Sequence, residues 1–314
     1  MDQQRRLAVS IDDDAINMAW VAEDGHLTAT EKWPITRFST LTDALLAYER
    51  TTGVRLLGTA CALSVLGATY GDTMMLSRGN WAISRSGLRS MFGRDAIILN
   101  DVAARAWAAL GGVGPKLESL STNAIGTPDF KRRGRWALTK VDAGVGLAVI
   151  DVDDAGLIRV LECEMGHCAF APNTDEDRVL ATALSRTRGL VSWEMVLTLS
   201  PEDPIWSTPG LPVSRSQRVA MLARLVGFYV GDTVMAHGAW TGAILTGRRI
   251  AEMVTEPVMP SFNSGFENKP KFQRLIKGTP RWRLVAQDLT LSGCAIALGR
   301  HASMLGATNT VAAY

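Results

Sequence analysis

The sequence predicts a two-lobed α/β protein, on three observations. The chain has 314 residues, more than one hydrophobic core usually fills. Hydrophobic residues make up 47% of it, ample for real cores. A pattern of short apolar strands followed by helices occurs twice, on either side of a break at Gly111, Gly112, Gly114 and Pro115. Gly and Pro clusters of this kind mark a linker or hinge.

The first half opens with apolar runs at 7–11 and 15–22 and a weaker one at 27–33, punctuated by Gly25. That pattern reads as an antiparallel three-strand meander. Helical spacing of apolar residues predicts a helix over 41–48, and the small and apolar side chains of 56–66 fit a buried strand. Ser84 suits the N-cap of a helix ending at Phe92. A buried strand at 96–99 and a helix at 102–110 follow. After the break come strands at 136–141, 146–152 and 158–163, then helices at 175–185, 192–198 and 214–237. The last of these is long and mostly apolar, so it is expected in a core. A strand at 243–245, a helix near Ile250, a strand at 282–285 and a closing helix over 290–304 complete the pattern, with 302–314 expected to fray. These boundaries give a small lobe at 1–111, completed by the C-terminal helix at about 288–314, and a large lobe at 112–287. Two such units flanking a hinge describe a cleft protein with its ligand between the lobes.

Composition excludes several classes. A net charge of +2, from 33 basic and 31 acidic residues, suggests no nucleic-acid surface. The basic cluster at Lys131–Arg135 reads as a solvated turn before a strand. Cys61, Cys163, Cys168 and Cys294 show no CxxC spacing, and Cys61 and Cys294 lie in apolar runs as small core residues. No histidine pair has ligand spacing on a helix, so no metal site is expected. The polar start at Met1–Arg6 is no signal peptide, and no apolar run reads as long enough to span a bilayer. The expectation is a cytoplasmic protein with reduced thiols and no membrane partner.

Asn100-Asp101 falls at the carboxyl end of a buried strand and the start of a helix, where open α/β sheets place ligand contacts. An Asp there can accept the proton of a hydroxyl nucleophile, and an ordinary N-cap uses the same residue types. Glu164-Met165-Gly166-His167 gathers a carboxylate, a permissive glycine and an imidazole directly after a strand. Carboxylates accept hydroxyl protons and an imidazole both donates and accepts, so the set can grip vicinal hydroxyls; a surface turn is the plainer alternative. Phe170-Ala171-Pro172 argues that the segment packs inward. Glu194, within the apolar 191–197 helix, is a third candidate beside the reading of a half-exposed helical Glu.

In order along nearly the whole chain, these pieces resemble the bacterial glucokinases of the hexokinase–actin–Hsp70 superfamily. Gly71-Asp72 with Trp81-Ala82-Ile83-Ser84 resembles the family's GD…TNxxWxxS stretch, and Ile98-Leu99-Asn100-Asp101 its LND signature. Ala143-Gly144-Val145-Gly146-Leu147 resembles the GxGTGLG phosphate loop. Glu164–His167 with Phe170-Ala171-Pro172 resembles GEGGHxxFAP, and Val191–Leu197 resembles VSxERVLSG. The resemblance implies an actin/hexokinase-like (ribonuclease H-like) fold, with ATP and Mg as cofactors and glucose or a related hexose as substrate. It also implies sugar contacts at Asn100, Asp101, Glu164, His167 and Glu194, with Asp101 as the base that deprotonates the sugar's primary hydroxyl. Family members often form homodimers.

The nucleotide side departs from the family. Where the first phosphate loop reads DxGGTN, this chain has Ser10-Ile11-Asp12-Asp13-Asp14-Ala15. A phosphate cradle needs glycines so that N–H groups can approach, and added carboxylates oppose it. Two unit charges ~4 Å apart repel by about 4 kcal/mol at an effective dielectric near 20. Among the second-loop residues Gly144, Val145 and Gly146, Val145 replaces a Thr; Ala148 replaces a Gly. Gly247-Arg248 replaces a GG pair, Ser292-Gly293-Cys294-Ala295 replaces LGSG, and Met165 replaces a Gly beside the sugar. The sequence therefore favours a sugar-binding protein with impaired phosphotransfer, a sensor or regulator with a protein partner. An active sugar kinase with an atypical nucleotide site is the alternative, and a ligand-free interaction protein the third.

Overall fold

The computed structural model describes residues 5–76, 81–111, 116–286 and 288–311. The Gly112, Gly114 and Pro115 part of the expected hinge lies outside the described residues. The chain forms two compact units, residues 1–115 with 286–314, and residues 116–285.

In the first unit the apolar runs become strands β1 (Arg6–Ile11), β2 (Ala15–Val21) and β3 (Leu27–Pro34), followed by helix α1 (Leu41–Thr52) and strand β4 (Ala60–Val65). A short hairpin, β5 (Thr73–Met75) with β6 (Ala82–Ser84), leads into α2 (Arg85–Phe92), β7 (Ile97–Asn100) and α3 (Asp101–Leu110). The sheet order is β3-β2-β1-β4-β7. The meander β1–β2–β3 is antiparallel, whereas β4 pairs parallel to both β1 and β7. β1 and β4 are buried along almost their whole length, which explains their unbroken apolar runs. Thr40 and Ser84 cap α1 and α2 through their side chains, as expected for Ser84. The closing helix, Leu289–Val311, packs on α3 and β1. Its Gly293 meets the carbonyl oxygen of Ala104, where any Cβ would collide, and Cys294 Sγ lies 3.4 Å from Val9 O. The backbone of this helix continues through 302–311, where fraying was expected.

The second unit begins with a strand the sequence did not signal, β8 (Lys116–Ser119). It continues with β9 (Gly134–Val141), β10 (Val145–Val152), β11 (Ile158–Cys163), α4 (Asp175–Arg188), α5 (Trp193–Leu197) and α6 (Arg215–His237). Strand β12 (Gly242–Thr246), helices α7 (Arg248–Met253), α8 (Met259–Phe266) and α9 (Gln273–Gly278), and strand β13 (Arg281–Val285) complete it. The sheet order is β11-β10-β9-β12-β13-β8, with β12 parallel to both of its neighbours. Helix α6 is the centre of this core: Leu222, Val226, Tyr229, Val230 and Val234 are fully buried and α8 lies along it. Among the described residues α6 is long and apolar enough to cross a membrane, contrary to the sequence expectation. Its most apolar stretch is 61% buried inside the protein, which is the behaviour of a core helix. Ser214 and Gln217 fix its start as a capping box. Helix α4 starts on a second box, Thr174 with Asp177. The Asp177 carboxylate is fully buried, takes Arg224 Nη2 at 2.6 Å, and accepts the amides of Asn173 and Thr174 at 3.1 Å.

Candidate functional site

In the second unit, β11 ends in a single 3-10 turn, Met165–His167, that presents Glu164 and His167 to solvent. Gly166 in this turn packs onto the backbone of Val145, and a Cβ there would run into the Val145 carbonyl oxygen. The chain then pins α5 beside the turn: Phe170 N donates to Val191 O at 2.8 Å and Trp193 N to Cys168 O at 3.1 Å. Phe170 and Trp193 are buried and meet edge to face at 4.9 Å, so Phe170 packs inward as expected while Ala171 and Pro172 are exposed.

Pinning α5 delivers Glu194 to the turn. Its Oε2 accepts the Val145 amide at 2.9 Å, and its Oε1 stands 3.9 Å from His167 Nδ1. His167 Nε2 stands 3.7 Å from Glu164 Oε2. The imidazole thus lies between two carboxylates, close to both and within hydrogen-bonding distance of neither. Glu194 is the least exposed of the three, its side chain 31% accessible. Glu194 from α5 therefore joins Glu164 and His167 of the turn, and together they present convergent acceptors and a donor, which is what a polyhydroxyl ligand needs.

The β9–β10 turn that Glu194 holds contains a residue the sequence reading passed over. Asp142 Oδ1 accepts the amide of Arg248, at the start of α7, at 2.6 Å. The Arg248 side chain is 87% exposed and 3.7 Å from the same oxygen. Gly247 precedes it at φ 110 and makes no side-chain cap, so Asp142 fills that role from 106 residues away. No local signal marks it, because the partner lies so far along the chain.

In the first unit, Asn100 ends β7 and caps α3, its Oδ1 accepting Ala103 N at 2.7 Å. Asp101 opens the helix, is 8% exposed, and has Arg105 Nε 3.7 Å from its Oδ2 one turn on. The i, i+4 spacing on a helix start could have marked Arg105. The Ser10–Ala15 turn is tight: Asp12 N donates to Ala15 O and Ile35 N to Asp14 O, both at 2.9 Å. Ser10 is buried opposite Asn17 in the β1–β2 register, and Asn17 Nδ2 donates to both Ser10 Oγ and Asp12 Oδ2, at 3.2 and 3.1 Å. The carboxylates of this turn are not one cluster: Asp12 is turned toward Asn17 and half-buried, whereas Asp13 and Asp14 are exposed. Burial pushes the Asp12 carboxyl above its ordinary range. Arg105 and Lys32 pull it down, and Asp101 and Asp288 push it further up. Asp12 is thereby coupled electrostatically to Asp101.

Paired α/β units of this topology form the actin/hexokinase-like fold of the sugar kinases. Solved structures that share it include glucokinase from an Antarctic psychrotroph (TM-score 0.75, 19% identity, 94% of this chain and 98% of that one) and glucokinase from Balamuthia mandrillaris in complex with glucose (TM-score 0.72, 13% identity, 95% and 94%). The glucokinase of Nitrobacter hamburgensis is 25% identical over 299 residues, 88% of this chain and 91% of that protein. The family model described as Glucokinase matches residues 15–199 and 210–301, and the chain belongs to the glucokinase family. The match begins at Ala15, so Ser10–Asp14 stands outside it.

Proposed function

We propose that this member of the glucokinase family binds a hexose and has lost efficient phosphotransfer from ATP, serving as a sugar-dependent sensor or regulator. The observation that carries this is the Asp12–Ala15 turn. Asp12 N is taken by Ala15 O, and the exposed carboxylates Asp13 and Asp14 stand at the positions that, by the resemblance, correspond to the family's phosphate loop. Phosphate binding at such a turn relies on open N–H groups and an absence of negative charge. Asp142 supports the same reading, since it occupies the Arg248 amide with a carboxylate on the second phosphate segment. The Asp13 and Asp14 carboxylates oppose a bare triphosphate, whereas a magnesium ion held by such carboxylates would offset part of that repulsion.

The sugar side supports hexose binding. Glu164, His167 and Glu194 are the proposed holders of ring hydroxyls, with Asn100 beside Asp101 as further contacts. Glucose is the first ligand to test, as one glucokinase of this fold was solved with glucose. Calorimetry on the purified chain should show saturable glucose binding, while a coupled assay with ATP should show hexose phosphate forming far below the ~1–100 per second usual of kinases. Turnover in that range refutes the proposal. A second reading, an active kinase with an atypical donor, is favoured by Asp101, a buried carboxylate at the start of α3 with Arg105 beside it. Hexose phosphate formed from ADP or polyphosphate selects that reading.

A further inference from the structure

The second unit carries a groove of about 840 Å³ that the hexose reading does not use. The loop Ser119–Asn123 forms one wall, α8 contributes Met259 and Asn263, and α9 contributes Arg274, Lys277 and Gly278, with Glu267 and Arg281 completing the lining. The walls are fixed by backbone: Arg281 N donates to Ser121 Oγ at 3.0 Å, Leu120 N to Arg281 O at 2.9 Å, and Asn123 Nδ2 to Gly278 O at 2.5 Å.

Three cations against one carboxylate line this groove. Arg281 is the unusual one. It is 5% exposed, its guanidinium lies 4.5 Å from the centre of the Phe266 ring, and among the described residues neither Nε nor Nη1 has a hydrogen-bond partner. Glu267 Oε1 stands 3.8 Å from Nη1, too far for a hydrogen bond. Burial pushes the guanidinium below its ordinary value, and Glu267 offsets part of that. A buried cation with unsatisfied donors is strongly unfavourable unless an acceptor completes it. Asn263 Oδ1, on the same groove, is likewise buried without a donor among the described residues.

We propose that this groove is a second binding site for a small hydroxylated molecule bearing an oxyanion, a phosphate or carboxylate group. Arg281, Arg274 and Lys277 hold the anion, and Asn263 accepts from a hydroxyl. Guanidinium groups match the oxygens of either anion with paired hydrogen bonds. Glu267 opposes the anion by its charge and partly compensates Arg281 electrostatically.

The test is titration calorimetry on the full chain with glucose 6-phosphate, inorganic phosphate and citrate, the last two separating phosphate from carboxylate recognition. Saturable binding of at least one probe is expected. The exposed double variant Arg274→Gln/Lys277→Gln, which leaves the buried Arg281 in place, should weaken it about tenfold or more, the loss of charge-assisted hydrogen bonds. Glu267→Gln should tighten it by removing the opposing charge, and Glu164→Gln, in the other cluster, should leave phosphate and citrate binding unchanged. Absence of saturable binding for all three probes overturns the proposal. So does binding indifferent to the double variant, or binding of phosphate or citrate lost in Glu164→Gln.

Discussion

Glu194→Ala separates the structural from the ligand-binding role of one carboxylate. In the intact protein Glu194 Oε2 accepts the Val145 amide at 2.9 Å, and Val145 is 5% exposed. A hydrogen bond to a charged group contributes about 1.5–3 kcal/mol, and the 31% exposure of this side chain lets water replace part of it. The Val145 donor, once unpaired, has little access to water, which restores some of the loss. The net expectation is about 2 kcal/mol of destabilisation, or roughly 4–8 °C in melting temperature for a unit of this size. Glu194→Gln keeps an acceptor for the amide and should lose about half as much, because a neutral bond is about half as strong. Calorimetric melts of the three proteins without ligand measure this first effect. Repeating them with glucose at 100 times its dissociation constant measures the second: wild type gains about 2.7 kcal/mol, and the Ala variant should gain almost none. A ligand-free melt of Glu194→Ala that overlays wild type refutes the clamp on Val145. A full glucose shift in the same variant refutes Glu194 as a sugar contact.

Asp177→Asn should destabilise the second unit by about 3–5 kcal/mol, because it leaves Arg224 without its buried partner. Burial raises the Asp177 carboxyl, but Arg224 and the Asn173 and Thr174 amides outweigh it and the net shift is downward. A depressed folded value means that its stabilisation is complete above the unfolded range near 3.9 and is lost as pH falls through the folded value, so melts of wild type and variant should converge only in strong acid. Asp12 has the opposite sign: its raised folded value makes the ionised carboxylate unfavourable at neutral pH, a penalty that disappears below the unfolded value. Asp12→Asn, which keeps an acceptor for Asn17, should therefore melt higher than wild type at pH 7 and alike near pH 3. Asp13→Gly/Asp14→Thr removes two exposed charges. If the turn faces a bound phosphate as proposed, each repels it by about 0.8 kcal/mol at ~5 Å in water, so affinity for a fluorescent ATP analogue should rise roughly tenfold; an unchanged affinity refutes the proposed role of the turn.

The meander of the first unit was legible because β1, β2 and β3 are apolar runs separated by turn residues, the strongest signal a sequence offers. Helices α8 and α9 were not. Met259–Phe266 reads Met-Pro-Ser-Phe-Asn-Ser-Gly-Phe, poor in helix formers, and its helicity comes from Phe262 and Phe266 packing beside α6. β8 is Lys-Leu-Glu-Ser, which lacks β-branched residues and gains its strand character by pairing with β13. In the site, the resemblance marked Glu194, but only the fold puts its carboxylate beside His167. Asn17, Arg105 and Asp142 went unmarked because each matters through a partner rather than through its own type. Gly293, read in sequence as part of a nucleotide segment, has a plainer use as the contact between the closing helix and α3.

The closing helix also sets an order of assembly. Residues 116–285 are contiguous, whereas the first unit takes its last helix from the far end of the chain. A ribosome releases chain from the N-terminus onward, so the second unit is fully synthesised while β1 and α3 still lack the helix that covers them. For that interval their apolar surface stands open to water and to other chains. Truncation after Val285 would make the interval permanent, leaving a product prone to aggregation even though every residue of the Glu164, His167 and Glu194 cluster is present.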